Sequence, residues 1–336
     1  MVGTYTNNPE QGFHYVTFDE KLNQITKDVT VNGIENPSFI IANKAKNIVF
    51  LVEETASKLG GKISSFSYNV ISKTFQRINL QPTLGDHPCS LALSPNEKFV
   101  VVTNYSGGNI TVFPVDKDGK LGQSIQEKSY FNKGPNVSRQ EKSHLHEVVF
   151  HPTEKILFVT DLGGDVIQQI PFDENREATL QFEMAKISKL PVGVGPRHVV
   201  FSKNGKIAHA TLELTNQIGV FSFDDGKLQF LKTIKLTDEE VVLDGPAAEI
   251  KLSQDEQFLY ASLRGDFNVL VAFYVSDEKN LKEIQRIKIQ IKPRNFIPTR
   301  TGDYILVGNQ VSNTIISFKR DKKNRFVNRN RVGISN

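Results

Sequence analysis

The sequence predicts an all-β fold made of repeated four-stranded units, and three observations lead to it. A short polar opener, often with proline, recurs at intervals of roughly 50 residues, the period of propeller blades. Each opener leads to a turn of hairpin composition and then to a mainly apolar run, which suits a strand buried on both faces. A third strand of alternating apolar and polar residues and a more polar fourth strand complete the unit. The six openers are Asn36-Pro37-Ser38-Phe39, His87-Pro88-Cys89-Ser90, His144-Leu145-His146-Glu147, Gly195-Pro196-Arg197-His198, Gly245-Pro246-Ala247-Ala248 and Lys292-Pro293-Arg294-Asn295.

The residues before the first opener supply three further strands, at 2–6, 13–18 and 25–31, which match the second, third and fourth strands of a unit. Six complete units and three-quarters of another predict one domain, residues 1–336, folded as a seven-bladed β-propeller of four-stranded antiparallel blades. We expect the C-terminus to close the N-terminal blade, because closure removes an exposed strand edge. Residues 332–336 stand where that closing strand would start, so we expect it to be very short or missing and the blade to be left incomplete.

The composition favours a globular protein of a reducing compartment. Hydrophobic residues make up 38% of the 336 residues, and the single cysteine, Cys89, rules out an internal disulfide or a cysteine-based metal cluster. The N-terminus lacks the features of a signal peptide, and no apolar run approaches the ~20 residues of a membrane span. Much of the net charge of +4 comes from residues 319–331, which we interpret as a solvated hairpin rather than a surface for nucleic acid or anionic lipid. We therefore expect a cytoplasmic protein with no nucleic-acid and no membrane partner.

The repeat geometry predicts that polar residues from distant repeats meet at one place. In a propeller blade the first strand lies innermost and the second runs antiparallel beside it. The start of the first strand and the end of the second therefore lie on the same face, at one mouth of the central channel. The polar residues in these slots are His144, His146, Arg197, His198 and Arg294 at strand starts, and Asn104, Asp161, Glu213, Arg264, Asn309 and Gln310 at strand ends.

The cationic members of this set favour an anion site. Unpaired arginine is costly to bury, so Arg197, Arg264 and Arg294 at equivalent positions call for an anion, and Glu213 alone does not neutralise three cations. The His144-x-His146 spacing can ligate zinc, but no third ligand lies close in sequence, so we expect no metal and no cofactor. An Asn or Asp after a strand is often only a turn former, which leaves a structural alternative open for Asn104 and Asp165. Gly-x-Ser-x-Gly, P-loop and His-Glu-x-x-His signatures are absent from the sequence.

The motifs together resemble the seven-bladed propeller lactonase family, which includes propeller-type 6-phosphogluconolactonases and the fungal 3-carboxy-cis,cis-muconate lactonizing enzyme. The resemblance spans essentially the whole chain. Relatives often carry a polar residue where this sequence has Leu212 and Leu263, which affects the expected substrate more than the fold. The motifs include Val2-Gly3-Thr4-Tyr5-Thr6, Asn104-Tyr105-Ser106-Gly107-Gly108, His144-Leu145-His146, Asp161-Leu162-Gly163-Gly164-Asp165, Gly195-Pro196-Arg197-His198, Glu213-Leu214, Arg264-Gly265, Pro293-Arg294 and Asn309-Gln310.

The resemblance implies a function and a set of roles. It implies metal-independent hydrolysis of 6-phosphoglucono-δ-lactone to 6-phosphogluconate, a step of the pentose phosphate pathway, in a protein that is a monomer or weak homodimer. The alternatives are a muconate-type cycloisomerase, in which the same arginines bind carboxylates, and a non-catalytic scaffold. By motif position the proposed muconate-enzyme site corresponds to His146, Arg197, Glu213 and Arg264, which we expect to be catalytic. Glu213 would be the general base or its orienter, with His146 as its partner and His144 as the fallback. The remaining predicted substrate-binding residues are His144, Asp161, His198, Arg294, Asn309 and Gln310.

Overall fold

Antiparallel strands make up almost all of the regular structure in the computed structural model, which describes residues 1–8, 10–237, 247–277, 279–321 and 326–333. The described residues contain one two-stranded sheet and six four-stranded sheets, and within each sheet the strands pair in chain order. A 3-10 turn at Phe182–Met184 is the only helical element among these residues. The all-β prediction and the four-stranded antiparallel units are confirmed.

The strand boundaries, sheet by sheet, are as follows. They are β1 (Gly12–Asp19) and β2 (Gln24–Asn32); β3 (Ile40–Ala42), β4 (Ile48–Glu53), β5 (Lys62–Asn69) and β6 (Thr74–Pro82); β7 (Pro88–Leu93), β8 (Phe99–Asn104), β9 (Asn109–Pro114) and β10 (Gln126–Ser129); β11 (Leu145–Phe150), β12 (Ile156–Asp161), β13 (Val166–Pro171) and β14 (Lys186–Lys189); β15 (Pro196–Phe201), β16 (Ile207–Leu212), β17 (Gln217–Asp224) and β18 (Lys227–Lys235); β19 (Ala247–Leu252), β20 (Phe258–Leu263), β21 (Val269–Asp277) and β22 (Asn280–Lys288); β23 (Pro293–Pro298), β24 (Tyr304–Asn309), β25 (Thr314–Arg320) and β26 (Phe326–Gly333).

The predicted strand at residues 2–6 is wrong, because the structure has only an isolated antiparallel bridge between Val2 and His14 there. Beyond Val2 the backbone turns to other partners: the Thr4 amide donates to the Pro37 carbonyl at 3.2 Å. A Cβ on Gly3 would lie 2.1 Å from the same Pro37 oxygen, so the two segments approach as closely as glycine permits. The amides that would extend the strand therefore bond outside the sheet.

The predicted start of a closing strand at Val332 and Gly333 is also wrong. These two residues pair with Ile315 and Thr314, so they form the end of β26, the fourth strand of its own sheet. Residues 334–336, the rest of that predicted strand, lie outside the described residues, as do Gly245 and Pro246 of the fifth opener.

The chain divides into two compact units, residues 1–16 with 27–192 and residues 17–26 with 193–336. In the first unit, fully buried Val101, Ile110 and Leu157 belong to one apolar cluster. In the second unit, Phe258 and Phe296 lie in a comparable cluster. Phenylalanine supplies much of the aromatic packing, as expected for a chain without tryptophan.

A β-bulge recurs at one position in five of the four-stranded sheets. Between the first and second strands the register shifts by one residue, directly after the first paired residue of the first strand. An added residue bends the strand and redirects its side chains, and such bulges often lie beside active sites. The residues that follow the first paired position are Cys89, His146, Arg197, Ala248 and Arg294.

Candidate active site

Arg197 is the largest fully buried side chain among the residues that the structure describes, with 1% of its surface exposed. It follows Pro196 at the bulge of β15, where Arg197 and His198 together face the single residue Thr211 of β16. Glu213 follows β16 directly, and its amide donates to the Gly195 carbonyl at 2.8 Å. That bond holds the carboxylate beside the start of β15, and Nε of Arg197 lies 2.9 Å from Oε2 of Glu213.

Arg264 completes a cluster of two cations on one carboxylate oxygen. Its Nη2 lies 3.1 Å from the same Oε2 of Glu213 and donates to the Ala247 carbonyl at 3.3 Å. The Arg264 side chain is 12% exposed and the Glu213 side chain 3%. Two guanidinium groups at this distance offset the cost of burying the Glu213 carboxylate. The structure thus brings Arg197, Arg264 and Glu213 into contact. The sequence grouped these three residues only by their positions in the repeats.

Glu249 is a buried site residue that the sequence reasoning missed. Its Oε1 lies 3.0 Å from Nδ1 of His198, and Nε2 of the same imidazole lies 3.2 Å from Nη1 of Arg197. Lys251 Nζ lies 3.2 Å from Glu249 Oε1. Register supplies the missed signal: Glu249 stands two residues after Ala247, as His198 stands two residues after Pro196.

Burial and charge set the protonation of this pair. Burial first, and then the neighbouring Arg197 cation, lower the pKa of His198 to about 4, against the opposing effect of the Glu249 carboxylate. Burial by itself would raise the pKa of Glu249, but Lys251, His198 and Arg197 together hold it far below its usual range. The pair at neutral pH is therefore a neutral imidazole beside a carboxylate.

Leu212 and Leu263, the two departures from the family pattern, are both fully buried. Each is the last residue of a second strand, paired across the sheet with Pro196 and Ala247 respectively. They therefore contribute apolar packing directly beneath Glu213 and Arg264 instead of a polar lining.

The remaining predicted residues of the second unit are placed as follows. Arg294 is half-buried at the bulge of β23, the position that Arg197 has in β15. Asn309 is 3% exposed, and its Nδ2 donates to the Val307 and Thr314 carbonyls at 3.3 and 3.4 Å, which is a turn-closing role. The backbone amide of Gln310 donates to the Lys292 carbonyl at 2.8 Å. Asn309 therefore closes a turn, whereas Arg294 stays a candidate for binding an anion.

The two histidines of the first unit pack against one aromatic ring. The Tyr105 ring stacks on His144 at a centroid distance of 4.5 Å and meets His146 edge-on at 5.4 Å. His144 Nδ1 faces the Tyr105 carbonyl at 3.2 Å, and its Nε2 faces the Glu141 carboxylate at 3.1 Å. Both ring nitrogens of His144 therefore face oxygen atoms of the protein. The proton-transfer roles of His144 and His146 stay predictions.

Asp161 organises a loop and is fully buried. Its carboxylate accepts hydrogen bonds from Ser143 Oγ at 2.8 Å, the His144 amide at 2.9 Å and Asn132 Nδ2 at 2.9 Å. Each carboxylate oxygen is thereby engaged by the protein. These contacts hold His144 at the start of β11, and the substrate-binding role of Asp161 stays a prediction.

Within the described ranges, no group of three or more His, Cys, Asp or Glu side chains is arranged to hold a metal ion. Over the same residues, no helix has the length and apolar character needed to span a membrane.

Repeated four-stranded antiparallel sheets with polar residues at recurrent bulges define the class of all-β propeller proteins. The family model described as "Lactonase, 7-bladed beta-propeller" matches residues 1–332, and the chain belongs to this family. Together with the relatives described next, this makes the protein a hydrolase acting on a lactone ester.

Relatives of known name are similar over nearly their whole length. A 6-phosphogluconolactonase from Formosa agariphila is 29% identical, with 96% of this chain and 92% of the relative covered. A 6-phosphogluconolactonase from Bacillus subtilis is 25% identical, with 96% and 91% covered. Among solved structures, the periplasmic gluconolactonase of Pseudomonas aeruginosa superposes with a TM-score of 0.89 at 30% identity, covering 99% of this chain and 95% of that one. A Bacteroides fragilis protein proposed to be a 6-phosphogluconolactonase has the same TM-score at 32% identity, with 97% and 92% covered.

Proposed function

We propose that the protein hydrolyses 6-phosphoglucono-δ-lactone to 6-phosphogluconate. The observation that carries the proposal is the buried cluster in which Arg197 Nε and Arg264 Nη2 lie 2.9 and 3.1 Å from one oxygen of Glu213. Guanidinium groups bind phosphate and carboxylate through charge-assisted hydrogen bonds. The names of the Formosa agariphila and Bacillus subtilis relatives support the phosphorylated lactone as substrate.

The proposed reaction needs polarisation of a carbonyl and activation of water. A guanidinium of Arg197 or Arg264 stabilises the negative charge that develops on the lactone carbonyl oxygen. Water attacks the carbonyl carbon and gives up a proton to Glu213 or His146, forming the new carbon–oxygen bond. The bond from that carbon to the ring oxygen then breaks, and the ring oxygen takes the proton to become the product hydroxyl. Glu213 in its ionised form suits the accepting role.

Further parts of the site belong to the same proposal. His146 is the proposed partner of Glu213 in proton transfer. His198 and Arg294 are proposed to contribute to recognition of the small anionic substrate. Gln310 stays in the proposed binding set because its half-buried side chain follows the end of β24.

We also propose the finer architecture for this chain. The β1–β2 sheet is the proposed seventh blade of a single domain, consistent with six four-stranded sheets in a family described as seven-bladed. We propose a cytoplasmic protein that acts as a monomer or weak homodimer, as expected from its composition.

The test is a lactonase assay corrected for spontaneous hydrolysis, run on 6-phosphoglucono-δ-lactone, on unphosphorylated glucono-δ-lactone and on a muconate. Hydrolysis of the phosphorylated lactone with the higher kcat/KM supports the proposal. A preference for glucono-δ-lactone would align the protein with the Pseudomonas aeruginosa relative by name, and muconate turnover alone would contradict hydrolysis.

Arginine variants test the site itself. Arg197→Met and Arg264→Met should each raise KM strongly while the protein stays folded by circular dichroism, because each loses one guanidinium from the cluster. Unaltered kinetics in both variants would remove the cluster from the proposed mechanism.

A further inference from the structure

Arg197, His198 and Glu249 form a line of three buried side chains. Arg197 Nη1 donates to His198 Nε2 at 3.2 Å, and His198 Nδ1 lies 3.0 Å from Glu249 Oε1. In a regular strand Arg197 and His198 would point to opposite faces of the sheet. At the bulge both face Thr211, and their side chains come into contact.

The chemistry of the outer two groups determines the tautomer of the middle one. Arginine only donates hydrogen bonds, so His198 Nε2 must offer its lone pair to Arg197. An ionised carboxylate only accepts, so His198 Nδ1 must carry the proton that it shares with Glu249. The imidazole is therefore neutral and protonated on Nδ1. Its pKa of about 4 agrees with this assignment.

Glu249 is itself held from several directions. It is 1% exposed, and its Oε1 accepts the Ile250 amide at 2.9 Å in addition to the contact with His198. Lys251 Nζ pairs with the same oxygen at 3.2 Å, and Asn295 Nδ2 donates to Oε2. A carboxylate buried to this degree needs such partners to offset its desolvation. These contacts fix the position of the Glu249 carboxylate, which is the last group of the line.

Lys251 Nζ already balances the charge of Glu249 at 3.2 Å, so neutralisation of Arg197 does not explain the contact that His198 makes between them. The contact with His198 instead restricts the orientation of the Arg197 guanidinium group. Arg197 Nη1 is held between His198 Nε2 and the Ala248 carbonyl, to which it donates at 2.8 Å, while Nε faces Glu213. The guanidinium plane is therefore constrained from two sides.

We infer that Glu249 and His198 are positioning residues that fix the orientation of the Arg197 guanidinium for binding the anionic substrate. The inference rests on the proposed function, in which Arg197 touches that substrate. A proton added to Nε2 of His198 would face the N–H groups of Arg197 and break the alignment, so the line works only while the imidazole is neutral.

The experiment compares Glu249→Met, which loses the charge and the acceptor, with Glu249→Gln, which keeps a carbonyl acceptor. The matched control is Glu53→Gln, another buried carboxylate with ion-pair partners, Arg77 at 3.4 Å and Lys62 at 3.8 Å. Nitrogen-15 NMR of the imidazoles should show one sharp Nδ1–H signal of His198, slow to exchange with solvent, in the wild type and the control, and a broadened or fast-exchanging signal in Glu249→Met, because the ring loses the carboxylate that accepts from Nδ1. Misplaced binding groups can cost up to ~100-fold, so we expect KM for the lactone to rise about 10-fold or more in Glu249→Met and less in Glu249→Gln.

Failure of the inference is separable from failure of the proposed function. If the wild type does not hydrolyse the lactone, the function fails, and titration with inorganic phosphate replaces KM as the measure of Arg197 alignment. An unchanged Nδ1–H signal of His198 in Glu249→Met, or a KM or phosphate affinity equal to that of Glu53→Gln, overturns the positioning role. If Glu249→Met does not fold, Glu249→Gln decides: a KM or phosphate dissociation constant above that of Glu53→Gln supports the inference, and an equal value contradicts it.

Discussion

At the scale of single residues, the decisive feature is a carboxylate shared by two cations. Glu213 Oε2 lies within 3.1 Å of a nitrogen of Arg197 and of Arg264. A buried carboxylate needs such partners to offset its desolvation. The same two guanidinium groups are the proposed ligands of the anionic substrate, so Glu213 lies beside the proposed binding groups.

Glu213→Gln should lower kcat by at least about a hundredfold, because it retains the shape and loses the base. KM should not rise, since both guanidinium groups remain. Steady-state kinetics beside the buried-carboxylate control Glu53→Gln give the measurement. Near-normal turnover in Glu213→Gln together with an equally active His146→Asn would rule out the proposed proton chemistry and leave only the arginine cluster.

The free energy of unfolding should fall as pH drops from about 6.5 to about 4. In the unfolded chain His198 takes up a proton near pH 6.5, but in the folded protein burial and Arg197 delay this to about 4. The unfolded state thus binds more protons in this window, and its relative stability grows by at most about 1.4 kcal/mol per pH unit for one proton. Urea unfolding at several pH values should show a shallower slope in His198→Gln. Equal slopes in the two proteins would contradict the assignment.

At the scale of elements, the recurrent bulge explains why the polar residues occur where they do. In the sheets that begin with β11, β15 and β19, a hydroxyl group on the second strand accepts a hydrogen bond from the backbone amide of the residue that follows the bulge position. The bonds run from Glu147 to Thr160, from His198 to Thr211 and from Glu249 to Ser262, at 3.0 to 3.2 Å. The hydroxyl satisfies an amide that the bulge removes from the regular ladder. The same β-bulge therefore carries His146, Arg197 or Ala248, depending on the sheet.

Thr211→Val should lower the free energy of unfolding by about 1–3 kcal/mol, because it leaves the buried His198 amide without this acceptor. It should also lower kcat/KM, since the same bulge orients Arg197. Thr103→Val is the control: Thr103 faces the bulge at Cys89 and hydrogen-bonds the Ser90 carbonyl at 3.4 Å. Chemical denaturation and kinetics on both variants separate the effects. Equal activity in the two variants would show that the bulge at Arg197 does not control the site.

At the scale of the whole molecule, the β1–β2 hairpin has two sets of contacts. In the first unit, the Phe13 ring packs edge-on against Phe75 at a centroid distance of 5.0 Å. In the second unit, the Phe18 ring meets Tyr304 edge-on at 5.0 Å, and the Tyr304 hydroxyl donates to the Glu20 carbonyl at 3.0 Å. A two-stranded ribbon is barely stable alone, so these contacts are what stabilise it.

Phe18→Ala should lower the free energy of unfolding by about 1–3 kcal/mol, less than the ~3–5 kcal/mol of a fully buried Phe, because Phe18 is half-buried. Leu22→Ala is the control in the same hairpin, since Leu22 is 70% exposed and its removal should change stability by no more than about 0.5 kcal/mol. Thermal and chemical unfolding measure both. A loss in Phe18→Ala no larger than that in Leu22→Ala would mean that the tip of the hairpin contributes nothing to stability.

The sequence by itself determined the repeated four-stranded units, because the alternation and the turn composition of each unit are local properties of a few consecutive residues. It also pointed to Arg197, Glu213 and Arg264, since motif position and repeat register need no coordinates. It misjudged residues 2–6 and 332–333, where pairing depends on which distant amide competes for a hydrogen bond. Only the tertiary structure decided that Glu249, an acid in a run of small residues, contacts the His198 imidazole. It also decided that Asp161 accepts the hydrogen bonds that close a loop. His198 and Glu249 come from separate sheets, and Asp161 lies 17 residues from His144, whose amide it binds, so these contacts depend on distances that neighbours in the chain do not encode.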